Sequence, residues 1–485
     1  MLDYLVKNAK IADGEGEKKE NALGIENSKI AFLGRSDGNL PEAASVIDIH
    51  GALLVPGIID IHCHSDSSPD CAEKLLCQGV TCCLSGNCGL SPQVDFAAFR
   101  AAFQETGYPI HQAEQIGHSS LRLAAGVPDF YTAATASQID VMKALIHDAF
   151  AHGAAGLSLG LEYDPGAPFE EALVLAQTAV QAAHTACRPP LVSIHARNVD
   201  RHNDDSIEEA IQLAKESGAR LIVSHLVYMW NGGGLGRTLD RITAARAAGV
   251  DIWADSGMWT AYSTTAGSAV FDEDEFIRKG YDFTKVRAAG GKYAGRFLNI
   301  EQYREVRRDS PKDCFIYDPG SPSDIWQAFL PDYVMVSTDA AASLSGGHPQ
   351  NAGTYPRFFR VMVQGGGLTV HRPAGAESSV GEGGATNDGE TVTAYPPYRL
   401  SLTEALRRVS LIPADVMGLN KGRIAVGRDA DLAVFDMETI GEMSDFPGAG
   451  DPNAPPRGIL HVFVNGVLCF TEGRRLPGRL AGRMV

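Results

Sequence analysis

The sequence predicts an α/β protein, a (β/α)8 TIM barrel with a small β-sandwich-like domain formed by both chain termini. Three observations support this fold class. Eight short apolar runs rich in β-branched residues occur along the chain, most of them alternate with segments of helical periodicity, and both chain ends carry further β-like runs. A chain of 485 residues with 44% hydrophobic content is long enough for a barrel and a second, smaller domain.

The predicted barrel strands are, in chain order, residues 58–64, 80–86, 117–126, 155–163, 191–197, 221–226, 250–257 and 333–340. Helical segments lie between them, for example FEEALVLAQTAVQAAHTA after the fourth run and SIEEAIQLAKESG after the fifth. Such alternation produces parallel βαβ units, and eight of them in succession favour a closed barrel. Counting strands alone leaves an open, doubly wound sheet as the alternative.

The two chain ends are expected to combine into one small β-domain. Residues 1–54 contain the runs YLVKNAKI and KIAFLG, and residues 418–485 contain DLAVFD and HVFVNGV. Residues 55–417 are then the barrel domain. Two long loops are expected at its mouth, one between the seventh and eighth strands and one after the eighth. The glycine-rich segment 375–391 in the second of them is predicted to be mobile.

Composition and charge exclude several classes of protein. The formal net charge is −17 and no cluster of Lys and Arg is present, which disfavours nucleic acid and anionic membranes as partners. The chain lacks an N-terminal apolar signal region and any uncharged apolar run of about 18 residues, so we expect a soluble, cytoplasmic protein. Nine cysteines without paired C-x-x-C spacing indicate reduced thiols. The expected partner is a small-molecule substrate, and the oligomeric state stays open.

Metal-ligand side chains stand at the carboxyl ends of five predicted strands: His62, His64, Cys88, His195, His225 and Asp339. In a parallel barrel these ends converge on one mouth. Side chains alternate along a strand, so the two histidines of the H-x-H pair point the same way. Taken alone, each of these residues is also compatible with an ordinary structural role. Imidazole, thiolate and carboxylate at five strand ends together predict a one- or two-metal centre, with zinc as the natural ion.

Several motifs of the chain resemble those of one known family. They are VPGIIDIHCH (55–64), SGNCGLSP (85–92), GHSSLR (117–122), GLSLGLEYDPG (156–166), HARN (195–198), SHL (224–226), HPQNAGTYPRFFR (348–360), GRIAVGRDADLAVFD (422–436) and HVFVNGVL (461–468). This set resembles the amidohydrolase superfamily and, within it, the D-aminoacylases, which are N-acyl-D-amino acid deacylases. The resemblance covers most of the chain. It implies a (β/α)8 barrel with metal ligands at the ends of strands one, five, six and eight.

The resemblance also implies a metal arrangement and an activity. Hydantoinase-like relatives bridge two metals with a carboxylated lysine at the fourth strand, and the run AGLSLGLEY has no lysine. In the deacylases a thiolate after the second strand takes this place, which Cys88 fits. The implied centre has a tightly held zinc on Cys88, His195 and His225, and a second position, weakly held or empty, near His62, His64 and Asp339. The implied reaction is zinc-dependent hydrolysis of an N-acyl-D-amino acid to a carboxylate and a free D-amino acid.

Three residues are predicted to act on the substrate. Zinc supplies a nucleophilic water and polarises the carbonyl that is attacked. Asp339 is the predicted catalytic residue, which accepts the proton of that water and passes it to the departing amine. Tyr163 is expected to line the pocket and to hydrogen-bond the substrate or its oxyanion. His348 is expected to orient the substrate or Asp339.

Two departures from the deacylase pattern leave the substrate open. The deacylases commonly carry a lysine or similar polar group after the sixth-strand histidine, where this chain has Val227, and their YPY pattern in the seventh strand is replaced by WADSGMWTAYS. Arg197, Arg237 and Arg278 are candidates for a carboxylate clamp. Two other classes remain as alternatives. A mononuclear deaminase of the same superfamily would not need Cys88. A non-enzymatic metal-binding or scaffold protein would keep the barrel but would not hydrolyse any amide.

Overall fold

A computed structural model describes residues 1–66, 68–198, 203–228, 234–342, 347–371 and 391–485. The loop 375–391, predicted to be mobile, lies outside the described residues apart from its last position.

The strands of the described residues are β1 (Leu2–Lys7), β2 (Lys10–Asp13), β3 (Gly16–Glu17), β4 (Ala22–Glu26), β5 (Lys29–Gly34), β6 (Ala43–Asp48), β7 (Leu53–Pro56), β8 (Ile58–Asp60), β9 (Cys63–His64), β10 (Val80–Ser85), β11 (His111–Gly117), β12 (Gly156–Gly160), β13 (Leu191–His195), β14 (Arg220–Val223), β15 (Ile252–Ser256), β16 (Tyr262–Thr265), β17 (Val286–Ala288), β18 (Cys314–Tyr317), β19 (Val334–Val336), β20 (Ala340–Ala341), β21 (Leu368–His371), β22 (Thr391–Ala394), β23 (Leu432–Phe435), β24 (Ile459–Val464), β25 (Val467–Thr471) and β26 (Arg474–Arg475).

The α-helices of the same residues are α1 (Pro69–Leu76), α2 (Phe96–Thr106), α3 (His118–Ala124), α4 (Ala136–Ala151), α5 (Phe169–Thr185), α6 (Asn203–Ser217), α7 (Leu235–Ala247), α8 (Glu273–Arg278), α9 (Ile300–Asp309), α10 (Pro322–Ala328), α11 (Gln350–Phe358), α12 (Leu402–Leu406) and α13 (Ile412–Met417). Short 3-10 turns lie at Leu226–Tyr228, Ala269–Phe271, Phe283–Lys285 and Gly291–Tyr293, and π-helical turns at Phe359–Val363 and Arg407–Leu411. Over these parts of the chain, no helix is long and apolar enough to cross a membrane.

The described part of the chain contains eight parallel strands in one sheet, in the order β8, β10, β11, β12, β13, β14, β15 and β19. The short strands β9 and β20 pair in parallel, with Ala340 opposite Cys63 and Ala341 opposite His64. The Asp339 amide also donates to the His62 carbonyl oxygen over 2.9 Å. This seam joins the first and eighth strands, so the barrel is nearly closed and the predicted fold class is confirmed.

Helices cover the outside of the barrel, as alternation of strands and helices predicts. Helix α4 begins with a capping box between Thr135 and Gln138. Helix α5 begins after Pro168 with Glu170 and Glu171 in its first turn, where acidic side chains favour the positive end of the helix dipole. Helix α5 packs between α4 and α6, and α7 follows next to α6. These neighbours follow chain order, which is the arrangement of a barrel.

The third barrel strand was predicted wrongly. The prediction placed it at residues 117–126, but β11 ends at Gly117 and the following residues form α3. Strand β11 carries Gln112, Glu114 and Gln115, all buried, so no apolar run marks it in the sequence. Leucine, arginine and alanine favour a helix in α3. Gly117 itself is required by packing, because a Cβ there would come within 2.4 Å of the Gly89 carbonyl oxygen.

Strands from both chain ends combine in a second region. One sheet has the order β5, β4, β1, β6, and another has the order β26, β25, β24, β23, β7, β2, β3. Strand β7 near the N-terminus pairs antiparallel with β23 near the C-terminus, with Val55 opposite Ala433. Val6, Leu54 and Phe463 belong to one buried cluster that joins the two ends. Apart from Val55 and Pro56 at the end of β7, these sheets lie in the residues expected to form the small domain, whose boundaries at 54 and 418 stay a prediction.

Residues 262–317, between the seventh and eighth barrel strands, form a structured unit that we call the insertion. It contains a three-stranded antiparallel sheet in the order β16, β18, β17. Its interior is aromatic, and the Phe276 ring contacts Tyr281, Tyr303 and Tyr317 at centroid distances of 5.0, 5.9 and 4.9 Å. The sequence predicted only a long loop here. The unit is stable because its aromatic side chains form a core of their own.

Candidate metal centre

The six donor side chains converge at the carboxyl ends of the barrel strands. The Cys88 sulfur lies 3.5 Å from His62 Nε2 and 3.5 Å from His225 Nε2. The His195 and His225 rings are 4.6 Å apart between centroids. Histidines from the first, fifth and sixth strands therefore meet near the Cys88 sulfur atom, beside the seam that joins the first and eighth strands.

Two groups of three donors have the spacing of metal ligands. One consists of Cys88, His195 and His225, and the other of His62, His64 and Cys88. Within each group one ligand atom per residue lies within 4.8 Å of the others. These are the groups of this geometry that the described residues contain, and Cys88 belongs to both.

Asp339 lies beside the second of these groups. Its Oδ1 atom is 3.5 Å from His62 Nε2 and 3.4 Å from His64 Nε2, and its side chain is 13% exposed. Burial alone would raise the pKa of Asp339, but His62 and His64 lower it well below its ordinary value. The carboxylate is therefore ionised and faces the cavity at the barrel mouth.

The backbone is strained at three donors. Cys88, His225 and Asp339 have φ angles of 52°, 38° and 54°, in the left-handed region that residues other than glycine rarely adopt. The loop that carries Cys88 is also held tightly, since a Cβ on Gly89 would lie 2.9 Å from the Gly160 nitrogen. Strain of this kind concentrates at functional sites, where the surrounding structure fixes a side chain in one direction.

Two carboxylates stand behind the imidazoles. Glu162 Oε2 accepts a hydrogen bond of 2.7 Å from His195 Nε2. Asp255 Oδ2 is 3.4 Å from His62 Nδ1, and its Oδ1 accepts from the His225 amide at 3.0 Å and from the Ser337 hydroxyl at 2.6 Å. Such partners fix the orientation of metal-bound histidines. The sequence analysis missed Asp255. It lies near the carboxyl end of the seventh predicted strand, just as the six candidate donors lie at the ends of other strands.

The residues present fit a divalent metal ion. His195 donates a hydrogen bond from Nε2 to Glu162, while its buried Nδ1 has no hydrogen-bond partner among the described residues. Burial alone would raise the pKa of Cys88, but the histidines around it, His62 first, lower it well below its ordinary value. A buried thiolate beside an unpartnered imidazole nitrogen is the donor chemistry that zinc takes. That these residues are the ligands stays a prediction.

The donors open into a cavity of about 840 Å³. Tyr163, one of the two predicted substrate-binding residues, lines it with its ring 4.9 Å from that of His195. The cavity wall also includes Phe130, Tyr228 and Tyr262. Aromatic and small side chains predominate in the wall, as in clefts that bind small molecules.

His348, the other predicted substrate-binding residue, is not among the described residues that line this cavity. It is buried, its Nε2 donates to the Ala261 carbonyl at 3.1 Å, and its Nδ1 accepts from the Gln350 amide at 3.1 Å. Burial lowers the pKa of His348 to about 3, which keeps the ring neutral. The Gln350 side chain donates to the Asp339 backbone carbonyl. Gln350 therefore connects His348 to Asp339.

The three candidate clamp arginines pair with carboxylates elsewhere. Arg197 contacts Glu209 with its Nη2 at 2.8 Å, Arg237 lies 3.4 Å from Asp204, and Arg278 Nη2 lies 2.9 Å from Glu275. None of them is among the described residues of the cavity wall. Within that described wall, Lys312 is the only lysine or arginine, and it is exposed at the rim.

Comparison with known proteins gives the same family as the sequence motifs. The amidohydrolase family model matches residues 334–469. Two curated proteins of Alcaligenes xylosoxydans xylosoxydans are similar over the whole chain. The chain is 27% identical to an N-acyl-D-glutamate deacylase, over 99% of this chain and 97% of the relative. It is 26% identical to a D-aminoacylase, over 100% of this chain and 97% of the relative.

Solved structures show the same fold. The N-acyl-D-glutamate deacylase from Bordetella bronchiseptica, complexed with zinc and a phosphonate inhibitor, superposes with a TM-score of 0.81 at 24% identity, over 100% of this chain and 99% of that one. A crystal structure of D-aminoacylase superposes with a TM-score of 0.80 at 24% identity, with the same coverage. Another D-aminoacylase structure, with a TM-score of 0.80 at 23% identity over 100% of this chain and 99% of that one, is described as having a binuclear metal centre.

Proposed function

We propose that the chain is a member of the amidohydrolase superfamily and, from the convergence of its six candidate donors on one cavity, a zinc-dependent deacylase of N-acyl-D-amino acids. The reaction would cleave the amide bond and release a carboxylate and a free D-amino acid. The general class, a hydrolase of amide C–N bonds, is that of the family and of the relatives that match the whole chain.

The position of Cys88 carries this proposal. Its sulfur is shared by both three-donor groups, 3.5 Å from His62 Nε2 and 3.5 Å from His225 Nε2. A mononuclear deaminase, the alternative considered from the sequence, has no need of a thiolate at this point. The central cysteine therefore favours the deacylases, to which the chain is similar over its full length.

The residues of the site divide into proposed metal ligands and a proton-transfer group. A bound zinc ion supplies an activated water and polarises the amide carbonyl. Cys88, His195 and His225 would hold it tightly, and His62 and His64, with Asp339, would form a second, weaker position. Asp339 is the proton acceptor, because it is ionised, faces the cavity and can return the proton to the leaving amine.

The cavity wall favours a substrate with an apolar acyl group or side chain. Phe130, Tyr163, Tyr228 and Tyr262 contribute aromatic surface, and the volume of about 840 Å³ is that of a site for a drug-sized ligand. A free amino acid carrying only an acetyl group would fill a small part of it. Burying apolar surface of the substrate against these rings would contribute to binding.

Replacing Lys312 with methionine is expected to raise KM about two- to fivefold and to leave kcat unchanged. Lys312 is the cation of the described cavity wall and can attract the substrate carboxylate, but exposed ion pairs contribute only about 0.2–1 kcal/mol. Steady-state kinetics on one N-acyl-D-amino acid measure the effect, with Lys143→Met on the outer helix α4 as the control. A KM equal to that of the wild type would show that Lys312 does not contribute to substrate binding.

A substrate panel tests the proposed function. The wild-type protein is treated with a chelator, reloaded with zinc and assayed on N-acyl-D- and N-acyl-L-amino acids with acetyl and longer acyl groups. We expect amino-acid release from the D series only, which is lost on chelation and restored by the metal. If the loaded protein cleaves neither series, the deacylase assignment is wrong. Ammonia release from an amino-heterocycle would then identify the deaminase alternative.

A further inference from the structure

We propose that Lys279 is a positioning residue for His195, acting through Glu162, so that the insertion sets the affinity of the metal position formed by Cys88, His195 and His225. This inference rests on the proposed metal centre. It goes beyond that centre because it assigns a role to a residue of a unit that lies outside the eight-stranded barrel.

Glu162 is the link between the two regions. It follows β12 and is buried, with a side chain 5% exposed. One oxygen, Oε2, accepts from His195 Nε2 at 2.7 Å, and the other, Oε1, accepts from Lys279 Nζ. Both oxygens of one carboxylate are therefore engaged by the imidazole and the ammonium at once, which leaves the side chain a single orientation.

Lys279 is fixed from the side of the insertion. It follows the last residue of α8, and its side chain is 2% exposed. Its ammonium lies 5.6 Å from the Tyr281 ring centroid, and Tyr281 packs on Phe276 in the aromatic core. A buried ammonium is costly unless it is paired. Glu162 is the carboxylate that pairs with it, so the insertion and the barrel meet at this contact.

The contact controls which way the imidazole points. Because His195 donates Nε2–H to Glu162, its Nδ1 is the nitrogen left to face the other two donors of its group. Without the ammonium, one oxygen of the buried carboxylate would lose its partner and the Glu162 side chain could rotate. The histidine would then lose its fixed orientation. Loss of such an outer partner typically lowers metal affinity about 10- to 100-fold.

The other donor group has a different support. Asp255, which lies behind His62, accepts from the His225 amide and the Ser337 hydroxyl, both of which belong to the barrel. A change at Lys279 should therefore weaken one metal position more than the other. A purely structural role of the ion pair would instead change the stability of the insertion and leave both affinities alike.

The test is a Co²⁺ titration of the chelated full-length protein, read by the thiolate-to-cobalt absorption band and by the intensity of the d–d bands. We expect Lys279→Met to weaken the tighter position about 10- to 100-fold and to change the weaker one less than threefold. The matched control is Lys292→Met, which removes an exposed ion pair with Glu305 in the same insertion. Thermal unfolding of the chelated proteins separates loss of fold from loss of affinity.

A double-mutant cycle completes the test. If Lys279 acts only through Glu162, Lys279→Met combined with Glu162→Gln binds Co²⁺ as weakly as Glu162→Gln alone. The double variant buries no unpaired charge. It can therefore still be titrated with Co²⁺ if Lys279→Met alone does not fold. Wild-type affinity in a folded Lys279→Met, or additive losses in the cycle, would overturn the inference. Absence of the thiolate band in the wild type would instead contradict the proposed metal centre.

Discussion

Replacing Cys88 with alanine is expected to remove tight metal binding and to lower kcat/KM at least about 1000-fold. Both three-donor groups contain the Cys88 sulfur, so this single change takes a ligand from each of them. A metal at such a site contributes several kcal/mol to transition-state stabilisation, and each 1.36 kcal/mol corresponds to tenfold in rate. Metal content of the purified protein and kinetics on N-acyl-D-amino acids measure the two effects.

Cys187→Ala is the control for Cys88→Ala. Cys187 is exposed and belongs to neither donor group, so its removal should leave metal content and activity unchanged. Alanine at position 88 keeps a Cβ in the same left-handed backbone conformation, and the melting temperature checks that the loop is retained. A Cys88→Ala protein with the wild type's metal content and turnover would show that the thiolate is not a ligand.

Replacing Asp339 with asparagine is expected to lower kcat about 10²- to 10⁴-fold, the usual contribution of a general acid–base group. Asparagine has the same shape, but it cannot accept a proton at neutral pH. The backbone contacts of this residue, with the His62 carbonyl and the Gln350 side chain, do not involve its carboxylate and should persist. The tight position, which does not include Asp339, should keep its metal.

The measurement is kcat together with metal content, and Asp129→Asn in an exposed loop is the control. A kcat within twofold of the wild type would exclude Asp339 as the base. If metal is lost from the tight position along with activity, Asp339 is a ligand of that position, and the proton acceptor has to be sought elsewhere.

The strand ends were predictable because the signal is local. The run 58–64 is an apolar segment that ends in two histidines, and the rule that parallel strand ends meet at one mouth then brings Cys88, His195 and Asp339 together without further information. The structure places all six predicted donors at that mouth. The left-handed conformation of Cys88, His225 and Asp339 could not be read from residue type, because side chains other than glycine give no sign of it.

Strand β11 shows where local pattern fails. Its side chains Gln112 and Glu114 are polar yet buried, and Gln115 donates to the Asn87 side chain beside the Cys88 loop. A strand that carries several buried polar side chains has no hydrophobic period to detect. Secondary structure therefore had to be inferred from the more apolar segment that follows, which is a helix.

The sequence by itself determined the barrel, the contribution of both chain ends to the β-rich region and the positions of the six candidate donors, because hydrophobic period and strand alternation are properties of neighbouring residues. Only the tertiary structure decided which groups stand behind those donors. Asp255 behind His62, and Lys279 behind Glu162, are contacts between segments far apart in the chain, and their selection depends on packing and on the need to pair buried charge.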